Sequence, residues 1–244
     1  MTDSVLNVVL GLVASAISAG LGWLAQAVRR RRKAERVREF FGLPAGGECL
    51  VVVPRSIGAG SDAGTVTRRD AYALMSLAGL VENCGARAEI VAHDSANRGL
   101  GAKTEFCIGG PVSNERTAAH LAWGLPGALI ASGAEPGSNV ITVGERDFTA
   151  DHDQVHTLLA RIATPDGGRP VFLVSGQTGT ANQAGVRHLV AHHRELAREY
   201  GRNGTFAVVL RVVKPKAYGP DMVEVAADVT AGAVRRPTAR SGAA

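Results

Sequence analysis

Between Asp3 and Arg29 the chain carries no charged side chain, and inside that interval Val5–Val28 is a 24-residue, mostly apolar run. As a helix it would be about 36 Å long, enough to cross the roughly 30 Å hydrocarbon core of a bilayer with some tilt. Arg29-Arg30-Arg31-Arg32-Lys33 follows it directly, whereas only Asp3 and the amino terminus precede it. The positive-inside rule puts such a flank in the cytoplasm. The expectation is therefore a single-pass protein of the cell membrane, amino terminus outside and the C-terminal domain cytoplasmic. A cleavable signal is the rival, because Ala25-Gln26-Ala27 has the form of a small-residue cleavage site. A signal, however, carries its positive charge ahead of the apolar run. Ala16 with Gly20, and Ser18 with Gly22, repeat small residues at a spacing of four, which would let two such helices approach as a homodimer.

The remaining charge is distributed differently. Of the net +5, residues 1–38 hold 7 basic and 2 acidic side chains, residues 39–230 hold 17 and 20, and residues 231–244 hold 3 and 0. A nucleic-acid binder needs its basic excess on the domain that docks. Residues 39–230 are mildly acidic, so nucleic acid is excluded as the default partner. Cys49, Cys84 and Cys107 are odd in number and set among apolar residues, which reads as buried thiols rather than a disulfide framework or a zinc site. Arg outnumbers Lys 23 to 4, a composition associated with GC-rich bacterial genomes. The organisation expected is a transmembrane anchor over 1–28, a basic juxtamembrane linker over 29–47, one cytosolic domain over 48–230 and a disordered tail over 231–244.

Within that domain, blocks of Val, Ile, Leu and Phe alternate with helical patterns. Strands are expected at Cys49–Pro54, Ala88–His93, Thr104–Gly109, Pro170–Ser175 and Thr205–Val213, with a hairpin-like pair at Ala128–Ser132 and Asn139–Val143 and an edge strand at Met222–Val229. Helices are expected over Ala71–Asn83, about Asn114–Trp123, about Asp153–Ile162 and Ala181–Tyr200. Alternation of this kind predicts an α/β fold: a Rossmann-like, mostly parallel sheet covered by helices. Ligands of such sheets bind outside the carboxyl ends of the strands.

Two loops at that rim are glycine-rich. Gly109-Gly110-Pro111-Val112-Ser113-Asn114 follows one strand, with Ser113 or Asn114 placed to cap the next helix. Ser175-Gly176-Gln177-Thr178-Gly179-Thr180 follows another, and Thr180 with Gln183 fits a capping box. Free backbone N–H groups beside a helix dipole are how phosphates are held; the plainer reading is that glycine only makes tight turns. Arg68, Arg69 and Asp70 end the Ser56–Thr67 loop, and Asp94 with Ser95 follows a strand at the rim, suited to a ribose or base. His152 with His156, and His188 with His192, form helical pairs, but no HExxH pattern or third ligand accompanies them and no metal site is expected.

Gly176-Gln177-Thr178-Gly179-Thr180-Ala181-Asn182-Gln183 resembles the PGGxGTxxE motif of the LOG-like, lysine-decarboxylase-like Rossmann family of nucleotide phosphoribohydrolases and nucleotide-sensing relatives, and Gly109-Gly110 is similar to that family's upstream glycine turn. The resemblance implies a nucleotide-shaped pocket. Gln177 stands at a glycine position, and Gln183 stands where the family has its catalytic glutamate; an amide is no general acid or base near pH 7. The function expected is a membrane-anchored sensor or signalling module that binds a nucleotide or similar phosphorylated ligand. The alternatives are a nucleotide hydrolase or glycosyl-transfer enzyme using Glu115 or Glu145, and a structural module that binds other proteins. No cofactor is named by the sequence.

Overall fold

The computed structural model describes residues 2–55, 65–94, 101–131, 133, 139–164 and 167–236, the first sixteen of these (2–17) by their helical backbone only. In chain order the elements are α1 (Thr2–Phe41), β1 (Glu48–Val53), α2 (Arg68–Asn83), β2 (Arg87–Ala92), β3 (Thr104–Ile108), α3 (Glu115–Gly124), β4 (Ala128–Ala131), β5 (Val140–Val143), β6 (Arg146–Thr149), β7 (Gln154–Ile162), β8 (Val171–Gly176), α4 (Gly179–Glu199), β9 (Phe206–Val213), α5 (Pro215–Tyr218), β10 (Val223–Asp228) and α6 (Thr230–Val234).

Seven strands form one sheet in the order β10-β9-β7-β8-β3-β1-β2, and β4-β5-β6 is a separate antiparallel meander. The α/β class is as expected, but the sheet is mixed. β2, β1, β3 and β8 run parallel, whereas β7 is antiparallel to β8 and β9, and β10 is antiparallel to β9. Connection length explains the change. A parallel crossover takes a dozen or more residues, and only residues 163–170 join β7 to β8 and 214–222 join β9 to β10.

β7 replaces the helix expected over Asp153–Ile162. Val155, Leu158, Leu159 and Ile162 have helical spacing, yet positions 155–162 are all buried because the strand lies between β8 and β9 with both faces covered. His152 and His156 therefore do not share a helix face. β6 was not anticipated at all.

The apolar residues fall into two layers. On one face, α2, α4 and the end of α1 cover Val51, Phe106, Phe172, Val174 and Val208. On the other, α3, the small sheet and α6 cover Val52, Cys107, Leu158, Leu173 and Val209. All three cysteines are buried and free.

The membrane expectation is overturned. Helix α1 continues unbroken through the arginine run to Phe41, and among the described residues no helix is long and apolar enough to cross a membrane. Residues 5–17 of the apolar run have no described side chains; from Ser18 to Val28 only about 16 Å of helix precedes Arg29, against roughly 30 Å of hydrocarbon. The transmembrane anchor, the single-pass cell-membrane localisation and the outside-to-cytoplasm topology drawn from it are all corrected by this. Of the small-residue pairs, Ala16 lies outside the described side chains, while Gly20 and Gly22 meet no neighbour. The stretch 29–47, read as a linker, is helical to Phe41 and supplies Phe40, Phe41 and Leu43 to the core at no more than 1% exposure. Phe41 packs 5.3 Å from Phe172 and 6.2 Å from Phe106, ring centre to ring centre. Of the expected tail, residues 231–234 belong to α6, and residues 237–244 lie outside the described residues.

Phe41 thus locks α1 to the sheet. Truncating a fully buried phenylalanine removes its transfer free energy and leaves a cavity, so Phe41→Ala is expected to destabilise the protein by about 3–5 kcal/mol. Urea unfolding followed by circular dichroism measures this, and a change under 1 kcal/mol would show that α1 is not part of the cooperative unit.

Candidate ligand-binding rim and buried charge cluster

The parallel strands β1, β3 and β8 end at one rim, and each feeds a helix. Their N-caps are Thr67, Asn114 and Thr178. The loops touch one another: Ser175 Oγ donates to the Gly109 carbonyl at 3.2 Å, and the Arg55 N–H donates to the Ser113 carbonyl at 2.9 Å. Residues 56–64 of the β1–α2 loop, and Ser95 after Asp94, lie outside the described residues.

Much of the polar capacity expected for a ligand is used by the protein itself. The Gly176 N–H donates to Asn182 Oδ1 at 2.7 Å, and the Ser113 N–H donates to the Gly110 carbonyl at 3.0 Å. Asn114 is fully buried; its side chain accepts from Arg116 and Thr117 N–H and donates to the Ile108 carbonyl at 2.9 Å. Gln177 is 3% exposed and ties its loop to the small sheet: it donates to the carbonyls of Asn139 and Phe148 at 2.6 and 2.7 Å and accepts from the His156 N–H. The N–H groups of Gly110, Thr178 and Gly179 meet no acceptor among the described residues.

A buried network joins α2 to α4. Asp70, 4% exposed, accepts from Thr67 Oγ1 at 2.6 Å and from Asn182 Nδ2 at 2.9 Å, while Thr67 Oγ1 also caps the Asp70 N–H. Gln183, on the same helix as Asn182, accepts from Arg69 at 3.4 Å. Gly179 is pressed into this joint, where a Cβ would lie 3.1 Å from Arg69 Cβ. Gly109 has φ +93° and a Cβ there would fall 2.7 Å from Pro54 Cβ, so the turn requires glycine. Gly110 faces open space by comparison, its nearest neighbour being Ser175 Oγ at 3.7 Å.

Arg68 is exposed at the start of α2, Thr180 lies in the first turn of α4, and Asp94 is exposed on the turn after β2, with no bond to either glycine loop among the described residues. Glu115 and Glu145 are exposed and bond to no other side chain there. Sequence reasoning missed Lys214, whose backbone is left-handed at φ 47°, in the turn after β9 at this same rim. His188 and His192 do share a face of α4, stacked at 4.4 Å; burial, followed by His192, lowers the His188 pKa to about 4.

A second polar cluster, unanticipated, lies under α3. Glu105 is 1% exposed and accepts from Arg116 Nε and Nη2 at 2.7 and 2.6 Å and from His120 Nε2 at 2.8 Å. Glu105, Cys107 and His120 bring their ligating atoms within 4.8 Å of one another, the only such group among the described residues. A cation there would compete with Arg116 for both carboxylate oxygens. Burial pushes the Cys107 thiol well above its usual range, so it is a protonated core group rather than a nucleophile. The available signal was an acid inside the otherwise uncharged strand block Thr104–Ile108.

Compared with known proteins, the chain matches no family model, no curated protein and no solved structure.

Burial alone would raise the Glu105 carboxyl, but hydrogen bonds from Arg116 and His120 outweigh it and hold the group below its ordinary value of 4.5. A depressed carboxylate stabilises the fold above that value and loses the contribution as pH falls through the lower folded pKa. Glu105→Ala is expected to destabilise by about 3–5 kcal/mol at pH 7, as for breaking a buried pair. The deficit should shrink between about pH 4.5 and the acid end of the unfolding profile, and a deficit constant with pH would remove the ion-pair account. In the same assay Gly109→Ala is expected to destabilise by more than 1 kcal/mol and Gly110→Ala by less than 0.5 kcal/mol, each roughly, from the strain at positive φ.

Proposed function

We propose that the domain binds a phosphorylated small molecule, of nucleotide type, at the rim where β1, β3 and β8 end, and acts as a binding or sensing module. The observation that carries this reading is the contact between the β3–α3 and β8–α4 loops, which sets the N–H groups of Gly110, Thr178 and Gly179, without an acceptor among the described residues, beside two helix N-termini. Unpaired amides at helix starts favour anionic oxygens. Exposed Arg55 and Arg68 stand on the flanking β1–α2 segment and add positive charge. The likeness to the LOG-like motif supports the same ligand class. Gln183 supports binding over hydrolysis: it is an amide, 3% exposed, and held by Arg69.

The open position at Gly110 makes it the cleaner probe, since a side chain at Gly179 would displace the start of α2. In a calorimetric screen of mono-, di- and cyclic nucleotides, Gly110→Val is expected to weaken binding by about tenfold or more, the equivalent of one lost charge-assisted hydrogen bond, with unfolding unchanged. Folded Gly110→Val and Arg68→Gln proteins that bind as the wild type does would assign these loops to turn-making alone.

A further inference from the structure

The strands of the large sheet bury two charged side chains among the described residues, one on each face, and treat them differently. Glu105 is fully paired, as described. Arg161, in β7 on the opposite face, is 3% exposed and has no carboxylate partner among the described residues. Its Nη1 donates to the Gly204 carbonyl at 2.7 Å, whereas its Nε is sealed from solvent with no acceptor among the described residues. Phe40 and Phe172 lie 5.8 Å from the guanidinium carbon and hold its plane in place. Burial alone lowers its pKa to about 10, so it remains a cation at neutral pH. A buried cation is unfavourable unless an anion accompanies it.

The space for that anion is present. Arg161 lines a cavity of about 370 Å³ between the end of α1 and the start of β8, at the strand ends opposite the glycine rim. Arg38 and Arg169 line it too, with Thr164 and Asn203 as polar neighbours. Among the described residues of the lining the acid is Glu39, and it is held by Arg202 at 2.6 Å.

We infer that this cavity is a second ligand site, taking a small metabolite with a terminal oxyanion, a phosphate monoester or a short carboxylate, whose charge compensates Arg161. Its volume lies at the small end of ligand pockets, about 300–1,000 Å³, which fits a metabolite rather than a polymer. Guanidinium groups with aromatic faces against them are well suited to such oxygens, because their planar donors stay oriented while the charge is only weakly hydrated.

The test uses the full chain. Its thermal midpoint is measured against increasing inorganic phosphate and sodium succinate, with sodium chloride at matched ionic strength. The expected result is a saturable rise with phosphate, succinate or both, beyond chloride; phosphate alone assigns a monoester, succinate alone a carboxylate, and both the shared oxyanion. Arg161→Met should weaken the response at least about tenfold, as for one charge-assisted contact, while raising the midpoint in chloride because the unpaired charge is gone. Arg169→Gln, at an exposed position, should weaken it without affecting the fold, and decides the matter should Arg161→Met not fold. Gly110→Val should leave the response intact, which separates this site from the glycine rim. Identical midpoints in all three salts, a wild-type response in the arginine variants, or a response abolished by Gly110→Val would overturn the inference.

Discussion

A strand with no exposed residue must be covered twice, and β8 is such a strand: Val171 to Gly176 are all buried. The rest of the architecture meets that condition. Alternate residues place Phe172 and Val174 under α2, α4 and the end of α1, and Val171 and Leu173 under α3, the meander and α6. Neither layer is dispensable, because β7 beside it is buried over eight consecutive positions and would otherwise expose Leu159 on one face or Leu158 and Ile162 on the other. The basic helix α1 belongs to this constraint through its last turn: Phe40 and Phe41 fill the ground over Phe106, Phe172 and Phe206 that α2 and α4 leave uncovered.

The buried amide side chains at the rim are satisfied by the protein itself, and that pairing decides what the rim has left to offer. Asn182 is spent on Gly176 and Asp70, Gln177 on the meander, and Asn114 on its own helix and the preceding strand. Buried amides satisfied on every side fix geometry and lose freedom to meet a ligand. What remains within the two glycine-rich loops is backbone rather than amide side chain.

The sequence made the strands with extended apolar blocks legible: β1, β3, β8 and β9 fall within two residues of where the Val, Ile, Leu and Phe runs put them. Loop glycines were legible as turns, but their reasons differ in ways no spacing reveals. Gly109 is needed for its dihedral, Gly179 for the close approach of α2, and Gly110 for neither. β7 was misread because a strand buried on both faces has no period-two signature, and its leucines happened to match a helical repeat. The apolar run near the amino terminus was read in isolation, and its continuation as one helix through five cations into aromatic core packing lies in tertiary structure. The partners of Glu105 and Arg161 were invisible for a related reason: a single charge in an apolar block shows that something pairs with it or fails to, and only the fold says which.

The two ends of the large sheet differ from its middle in a way that bears on association between copies. At one end β2 carries Arg87 and Glu89 on an exposed strand, and Lys103, just ahead of β3, bridges Glu89 of β2 and Glu48 of β1 at 2.8 Å each. At the other, β10 departs from register between Val225 and Ala227, a bulge that bends its outer hydrogen-bonding groups away from a straight line. Added strands need a flat, uncharged template. Charge at one border of the seven-stranded sheet and irregular register at the other both work against an added strand.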